Sequence, residues 1–339
     1  MRLTRRELLA GTGGLLATTC VLAPTLPAVR GARQVAAFGG PAFGTYWRIS
    51  LPRGANEAAA RRAAQAVVKS VDQSMSPFRA GTEISRFNAM NSGELLPVSQ
   101  PFQLVVAKSL SIANLSGGAF DPTVGPLVNR YGFGPITGGA RASFADITAG
   151  NGTVGKARRD VTLDLCGIAK GYALEKIATA LDLLGLNDFV IEIGGEVFAR
   201  GAHPQGRPWR IGIEHPTAGA SVVQRIVHLD GQALATSSDA INAYTFAGRR
   251  YSHIIDARRA APIDNGIASV SVIARSAMEA DALATALMVL GPRSGVEFSS
   301  KHNVPTLMLI RNGGKIREVA VAGFDDYISV EVNTWRPSF

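Results

Sequence analysis

The feature that most constrains the fold is one stretch, residues 161–196, in which the hydrophobic pattern changes twice. Apolar residues alternate over Val161–Leu165, recur at helical spacing over Ala173–Leu184, and form a short run over Phe189–Ile193. Side chains repeat every two residues in a strand and every 3.6 in a helix, so these patterns predict strand, helix and strand in that order.

The two turns of this unit are rich in glycine and charge. Asp164 closes the first predicted strand, the turn Cys166–Gly171 contains two glycines and Lys170, and the second strand ends in Gly194-Gly195-Glu196. Glycines permit close backbone approach, and a helix start beside a lysine suits a phosphate. The pattern therefore fits a phosphate-bearing ligand, and it also fits a purely structural unit whose charges are incidental.

The bulk composition narrows the class of protein. The chain has 339 residues, of which 46% are hydrophobic, enough for a full core, and a formal net charge of +9. The basic residues are scattered, and no basic strip interleaved with aromatic residues is present, so no nucleic-acid partner is predicted. The charge is compatible with an anionic cofactor, an acidic partner or a membrane surface. Two cysteines, Cys20 and Cys166, give no disulfide framework.

The first 28 residues have the pattern of an export leader. Arg5-Arg6 opens a twin-arginine motif, and an uncharged stretch, Leu8–Val29, follows it. Glycines break the apolar part, so cleavage and release are favoured over a stable membrane helix, although anchoring to the inner membrane stays an alternative. We expect a signal peptide over residues 1–28, a single domain over residues 29–339, and export of the folded protein to the bacterial periplasm.

The remaining chain predicts an α+β fold of mostly antiparallel sheets with packed helices. Helices are expected over Glu57–Met75, with Ala59, Ala63, Val67, Val71 and Met75 on one stripe, and over Gln103–Leu115. Short apolar segments separated by turn residues predict seven later strands: Trp209–Glu214, Arg225–Leu229, Ala233–Thr236, Ser252–Asp256, Ser269–Ala274, Thr306–Ile310 and Lys315–Val321.

Residues 150–157 nearly match a phosphate-binding P-loop. The final position is Ala157 instead of serine or threonine, so the hydroxyl that would bind a metal is missing. A strand follows the segment where a P-loop requires a helix. We interpret these residues as a hairpin loop.

A second polar cluster lies on a predicted helix near residue 280. Ser276 and Glu279 form a capping-box pattern that predicts a helix start, and Gly291-Pro292 predicts its end. Asp281 and Thr285 are four residues apart and share one face of that helix. A carboxylate and a hydroxyl are hard oxygen ligands that suit Mg²⁺ or Ca²⁺ better than zinc. On this pattern alone, a buried hydrogen-bonded pair explains the two residues as well.

Several separated motifs, spread over about residues 40–325, resemble those of the FAD:protein FMN transferases, the ApbE family. The motifs are the central stretch with its L-D-L-C-G-I-A-K-G-Y-A core, Phe43-Gly44-Thr45-Tyr46-Trp47, Ser76-Pro77-Phe78 with Glu83-Ile84-Ser85-Arg86-Phe87-Asn88, Ala119-Phe120-Asp121-Pro122-Thr123-Val124-Gly125-Pro126, His253-Ile254-Ile255-Asp256, and Ala280-Asp281-Ala282-Leu283-Ala284-Thr285.

The resemblance implies an ApbE-like fold and a Mg²⁺-dependent reaction that transfers FMN from FAD to a threonine or serine hydroxyl of an acceptor protein and releases AMP. The implied partner is an acceptor flavoprotein, such as a subunit of a membrane-associated electron-transfer complex.

The resemblance also implies roles for individual residues. Asp281 and Thr285 would bind Mg²⁺, with backbone oxygens near Gly167 and Ala284 completing the shell. Lys170 would neutralise developing charge, Asp164 would fix either Lys170 or the cofactor, and His253 would accept the proton of the acceptor hydroxyl. The implied cofactor-binding residues are Phe43, Phe78, Ala119, Phe120, Asp121, Asp164, Lys170 and His253.

The chain departs from the family pattern mainly on the acceptor side. Ala257, Arg259 and Ala260 replace a proline, a threonine and a glycine; Thr236-Ser237-Ser238-Asp239-Ala240 stands where T-S-G-D-Y is usual. Phe43 replaces a methionine and Cys166 a glycine. Three alternatives therefore stay open: a non-catalytic periplasmic FAD carrier or maturation protein, a pyrophosphatase that splits FAD into FMN and AMP, and a structural protein without flavin.

Overall fold

The computed structural model describes residues 34–139, 143–216, 222–240 and 242–329. The predicted leader, residues 1–28, lies outside the described residues. Within these ranges no helix combines the length and apolar character needed to cross a bilayer. The helices are α1 (Glu57–Met75), α2 (Glu83–Ala89), α3 (Gln100–Leu115), α4 (Gly125–Arg130), α5 (Ala169–Leu183) and α6 (Ala277–His302).

Strands make up the rest of the framework, and most of their residues belong to one large sheet. In chain order they are β1 (Val35–Ala42), β2 (Thr45–Pro52), β3 (Leu95–Pro97), β4 (Ile147–Gly150), β5 (Thr153–Lys156), β6 (Phe189–Ile193), β7 (Glu196–Arg200), β8 (Ala202–His203), β9 (Arg207–Glu214), β10 (Val223–Leu229), β11 (Gln232–Ser238), β12 (Ala243–Phe246), β13 (Arg249–Ser252), β14 (Ile255–Asp256), β15 (Ala261–Pro262), β16 (Ile267–Ala274), β17 (Thr306–Asn312) and β18 (Lys315–Val321).

The large sheet has eight strands in the order β1-β2-β6-β7-β11-β16-β17-β18. Every neighbouring pair in it is antiparallel. The predicted α+β class with mostly antiparallel sheet is therefore confirmed. The seven later strands predicted from the sequence are also present, except that Ser252–Asp256 is divided between the end of β13 and the short strand β14.

The large sheet is buried on both faces. Because successive side chains of a strand alternate between faces, Ile191 and Ile193 of β6 join the core beneath the helices, whereas Val190 joins a second core on the other face. Helices α1, α5 and α6 cover the first face, and strands β9 and β10 cover the second. The sheet is thus the middle layer of three.

The segment Val161–Leu165 is buried except for the half-buried Asp164, but it is not a strand, so the sequence prediction is wrong here. The backbone hydrogen bonds of Leu163, at its centre, go to a side chain. The amide of Leu163 donates to Asn88 Oδ1 at 2.7 Å, and Asn88 Nδ2 donates to the Leu163 carbonyl at 3.0 Å. One asparagine therefore replaces a neighbouring strand and satisfies these buried backbone groups.

Helix boundaries follow the predicted signals with two differences. Helix α3 begins three residues earlier than expected, because the Ser99 hydroxyl caps it by accepting from the Phe102 amide at 3.3 Å. The predicted stop at Gly291-Pro292 is a break with φ of 81° at Gly291, after which helical turns continue to His302. The P-loop-like stretch is confirmed as the β4–β5 hairpin, with Asn151 and Gly152 at its turn.

Candidate functional site

The Gly194-Gly195 turn joins β6 to β7 at one end of the large sheet. The start of α5, the first half of α6 and Glu196, the first residue of β7, meet at this end. The Gly171 amide in α5 donates to Asp281 Oδ2 of α6 at 3.0 Å. A side chain at position 171 would meet the Ala277 carbonyl at 2.3 Å, so only glycine lets the two helices approach this closely.

Asp281 is a buried carboxylate, with 3% of its surface exposed. Burial raises its pKa, although the nearby Lys170 ammonium and the Gly171 amide oppose this effect. The capping box is only half formed here: Ser276 Oγ accepts from the Glu279 amide at 3.2 Å, but the Glu279 carboxylate pairs with Lys108. The cap nevertheless begins the helix that presents Asp281 to α5.

Thr285 lies one turn after Asp281, as its sequence spacing predicts. Its hydroxyl is 3.3 Å from Ser237 Oγ at the end of β11 and 3.4 Å from the Asp281 carbonyl. Gly167 approaches from the turn before α5, since a Cβ built on it would lie 3.5 Å from Thr285 Oγ1 and 3.2 Å from the ring of Phe120. Gly167, Asp281 and Thr285 are thus brought to one place, with buried Ala284 beside Thr285 in α6.

Lys170 forms an ion pair with Glu196, the first residue of β7. Burial disfavours its charge, but the carboxylates of Glu196 and Asp281 raise the pKa of Lys170 to about 12. Burial raises the pKa of Glu196 to about 7 even though Lys170 opposes the shift. The sequence pattern marked Glu196 only as the end of a turn; its position directly after two glycines, opposite a lysine-bearing turn, was the available signal.

Asp164 shapes the turn before α5. Its Oδ1 accepts from the Cys166 amide at 3.0 Å, and its own amide donates to the Pro122 carbonyl at 2.7 Å. In the described structure Lys170 forms its ion pair with Glu196. Of the two roles predicted for Asp164, fixing Lys170 is therefore not observed. Cys166 is exposed at the same turn.

The loop that contains Ala119, Phe120 and Asp121 packs against this turn. Ala119 and Phe120 are buried. Asp121 Oδ1 accepts from both the amide and the hydroxyl of Thr123, at 2.8 and 2.7 Å. Burial raises the pKa of Asp121, and these two hydrogen bonds limit the increase. The loop therefore reaches the site through Phe120 against Gly167 and through the Pro122–Asp164 hydrogen bond.

His253 lies between the short strands β13 and β14, outside the large sheet. Its ring meets the edge of Phe133 with centroids 6.3 Å apart, and its amide donates to the Asn242 carbonyl at 3.1 Å. Phe133 stacks on Tyr244 at 5.4 Å, and Tyr244 stacks on Tyr251 at 5.2 Å. A row of aromatic rings therefore connects His253 to the small hairpin β12–β13.

The two predicted flavin-contacting phenylalanines differ in position. Phe43 occupies the β1–β2 turn with φ of 51° and packs against the main core. This turn lies at the same end of the sheet as Gly194, whose amide donates to the Tyr46 carbonyl at 3.1 Å. Phe78 follows the end of α1 and is 71% exposed. The structure thus places Phe43 beside the Glu196 turn and leaves Phe78 in solvent.

The donor atoms near Asp281 fit a hard cation. In the part of the chain that the structure describes, no three His, Cys, Asp or Glu side chains gather into a metal site. The side-chain oxygens available are the Asp281 carboxylate and the Thr285 hydroxyl. Such a set, with few carboxylates, is typical of Mg²⁺ held jointly with substrate phosphates.

The fold and site define an α+β protein with a buried lysine–carboxylate cluster, and comparison with known proteins identifies its family. Residues 43–308 match the model of the ApbE family, so the chain belongs to the ApbE family. It is 35% identical to the FAD:protein FMN transferase of Vibrio cholerae, over 86% of this chain and 92% of the relative. The Escherichia coli K12 protein of the same name is 32% identical over 91% and 93% of the two chains.

Solved structures agree with this assignment. The apo crystal structure of the Pseudomonas stutzeri flavinyl transferase ApbE superimposes with a TM-score of 0.80 at 33% identity, covering 88% of this chain and 98% of the other. The family that the sequence motifs indicate is therefore confirmed by the sequence relatives and by the fold.

Proposed function

We propose that this protein is a periplasmic, Mg²⁺-dependent FAD:protein FMN transferase. Its relatives of that name align over most of both chains. The observation that carries the proposal is the convergence of Asp281, Lys170 and Thr285 at one end of the sheet, where a lysine and hard oxygen donors can receive a pyrophosphate.

The proposed reaction is a phosphoryl transfer. The hydroxyl oxygen of an acceptor threonine or serine forms a bond to the flavin-side phosphorus of FAD, and the bond from that phosphorus to the bridging oxygen breaks. The hydroxyl proton passes to a base, and AMP leaves with the bridging oxygen. FMN is then joined to the acceptor by a phosphodiester bond.

The residues divide into a binding group and a proton-accepting group. Asp281 and Thr285, with carbonyls near Gly167 and Ala284, would hold Mg²⁺, which supplies positive charge beside the pyrophosphate. Lys170, kept cationic by two carboxylates, adds a second positive charge. His253 is our candidate for the base that takes the hydroxyl proton.

The test is to incubate the protein, with residues 1–28 removed, with FAD and Mg²⁺ in the presence and absence of an acceptor domain. Mass spectrometry detects the FMN adduct, and released AMP is quantified in parallel. We expect adduct and AMP in equal amounts, and only with acceptor. AMP without acceptor would instead identify an FAD pyrophosphatase, and bound FAD without AMP across several acceptors would identify a carrier.

We propose a flavin-carrying subunit of a membrane-associated electron-transfer complex as the acceptor. This proposal rests on the family pattern. A panel of recombinant acceptor domains tests it, because only an acceptor with a suitable hydroxyl gains the mass of FMN, and replacing that hydroxyl residue by alanine abolishes the gain.

We propose export by the twin-arginine route, because Arg5-Arg6 precedes an uncharged stretch. Replacing both arginines by lysine should retain the protein in the cytoplasm, as measured by cell fractionation. Mass determination of the exported protein distinguishes cleavage near residue 28 from an anchored, uncleaved leader. Unchanged periplasmic accumulation of the double variant would overturn this route.

A further inference from the structure

One buried carboxylate of the site enters the reaction described above only as the partner of Lys170. Glu196 is 4% exposed, and its Oε1 accepts from Lys170 Nζ. Its second oxygen, Oε2, is buried and has no hydrogen-bond partner within the described residues. An unsatisfied buried carboxylate oxygen is costly, so its presence calls for a functional explanation.

The backbone holds Glu196 in this position. It follows directly on the two-residue turn Gly194-Gly195, where φ is 60° and 108°. A Cβ on Gly194 would lie 2.7 Å from Thr45 Cγ2, so the turn is pressed against the start of β2. Glu196 pairs in register with Ile193, which places its side chain on the helix-covered face of the sheet.

The formal charges of the cluster leave an excess of negative charge. Lys170 contributes one positive charge, and Glu196 and Asp281 contribute one negative charge each, so the cluster carries −1 when all three are ionised. Without Glu196 the cluster would be neutral. In a buried site a net charge acts strongly because the surroundings screen it poorly, and the sign here repels the pyrophosphate of FAD.

We propose that Glu196 makes FAD binding conditional on a divalent cation, so that the cation must be present before the pyrophosphate is accepted. This inference rests on the proposed function of the site. A divalent cation at Asp281 and Thr285 changes the cluster charge from −1 to +1, which turns repulsion of the pyrophosphate into attraction. Glu196 acts through charge and through Lys170, and it is therefore a positioning residue.

The experiment measures FAD affinity by quenching of flavin fluorescence, at about pH 8 so that Glu196 is ionised. Each protein is titrated once with Mg²⁺ and once with EDTA. We expect EDTA to weaken FAD binding at least about 100-fold in the wild type. The quantity compared is the ratio of the FAD dissociation constant in EDTA to that in Mg²⁺. In Glu196→Gln, which removes the charge and keeps the shape of the side chain, this ratio should be at least about tenfold smaller than in the wild type.

Two variants serve as controls. Glu196→Asp keeps the charge and should retain most of the wild-type dependence on the cation. Glu192→Gln removes another buried carboxylate from the same hairpin, but Glu192 lies on the opposite face of the sheet, where it accepts from the Tyr46 hydroxyl at 2.7 Å. It should leave the ratio unchanged. Thermal unfolding verifies that each variant is folded.

The outcomes separate this inference from the proposed function. An equal Mg²⁺-to-EDTA ratio in wild type and Glu196→Gln, with FAD bound in both, overturns only the inference. The inference also fails if Glu192→Gln lowers the ratio as much as Glu196→Gln. No FAD binding by the wild type in Mg²⁺ overturns both, whereas failed transfer with normal binding overturns the transfer reaction alone, because the binding assay needs no acceptor.

Discussion

The two parts of the proposed site are built differently. The proposed cation-binding part rests on the long helices α5 and α6 and on the central sheet, and Asp281 and Glu196 are almost fully buried there. The part around His253 rests on the two-stranded sheets β12–β13 and β14–β15, separate from the large sheet. The first part is preorganised by long packed elements, whereas the second is built on small hairpins that meet the main core through Ile254.

This difference explains one group of departures from the family pattern, those at residues 257–260. Residues 257–260 all lie between the short strands β14 and β15, where few packing constraints act. Ala260 adopts φ of 52°, a conformation that favours the glycine of the family pattern. Arg258 pairs with Asp256 through two contacts of 2.9 and 3.1 Å. This loop can therefore vary while Lys170, Asp281 and Thr285 match the family pattern.

The largest loss of FMN transfer should follow from a substitution in the buried, cation-binding part of the site. Asp281→Asn keeps an oxygen that can accept from the Gly171 amide but removes the charge. We expect transfer to fall at least about 10³-fold, since a bound cation contributes several kcal/mol, and FAD binding to weaken as well. Transfer is measured as adduct mass. Asp182→Asn, a charge change at the far end of α5, is the control and should have little effect.

His253→Ala should have the next largest effect on FMN transfer, and it should show whether the part around His253 acts on the transfer rate and not on FAD binding. Loss of a proton acceptor is expected to slow transfer by about 10²-fold, with FAD affinity unchanged. Single-turnover transfer and fluorescence titration are compared for the same preparation. His302→Ala, at the end of α6, controls for loss of a histidine. A His253 variant that loses FAD affinity and keeps its rate would place this residue in cofactor binding instead.

Gly167→Ala should produce a moderate effect on binding. The added methyl group would press on Phe120 and approach the Thr285 hydroxyl, which narrows the cation-binding part. We expect FAD affinity in Mg²⁺ to fall about tenfold, at a stability cost of about 1 kcal/mol. Gly150→Ala is the matched control, because nothing lies within 4 Å of its Cβ position. Equal effects of the two variants would contradict the packing argument.

A pH effect on stability should follow from Glu196. Its folded-state pKa is about 7, against an ordinary value of 4.5, so the folded protein binds this proton more tightly than the unfolded chain. The metal-free protein should therefore lose stability as the pH rises from about 4.5 to about 7. Glu196→Gln should reduce that loss by about 2–4 °C in Tm, measured by calorimetry in EDTA.

Glu83 is the control for this dependence of Tm on pH, because its pKa is shifted in the opposite direction to that of Glu196. Burial alone would raise the pKa of Glu83, but hydrogen bonds from Ser99 and Ser74 lower it overall. Its contribution to stability is present above the unfolded pKa and is lost as the pH falls through the folded one. Glu83→Gln should therefore change how Tm depends on pH in the acid range below about pH 4.5. It should leave the change in Tm between about pH 4.5 and pH 7 as it is in the wild type.

The smallest effect should come from strain on the acceptor side. Ala260→Gly relieves a left-handed conformation and should increase the free energy of unfolding by about 1 kcal/mol. Urea unfolding measures this gain. Ala322→Gly, with φ of 54° at a position remote from the site, should give a similar gain. FAD binding should be unchanged in both, and a change confined to Ala260→Gly would couple the two parts of the site.

Local sequence patterns predicted most elements because their signals are local. The bounds of α1, β6 and β18 agree with the prediction, since periodicity and caps depend only on neighbouring residues. The buried stripe of α1 was less well predicted: Ala60 and Ala64 are buried instead of Ala59 and Ala63. A small rotation of the helix about its axis decides whether the stripe with Ala59 and Ala63 or the stripe with Ala60 and Ala64 faces the core.

The sequence by itself therefore determined most helix and strand segments, the Ser276 cap of α6 and the i, i+4 placement of Asp281 and Thr285. Only the tertiary structure decided that Asn88 replaces a strand for Leu163, and that Lys170 pairs with Glu196. These pairs are separated by 75 and 26 residues. Their contacts depend on sheet register and helix packing, which no local pattern encodes because they arise only when distant segments share one core.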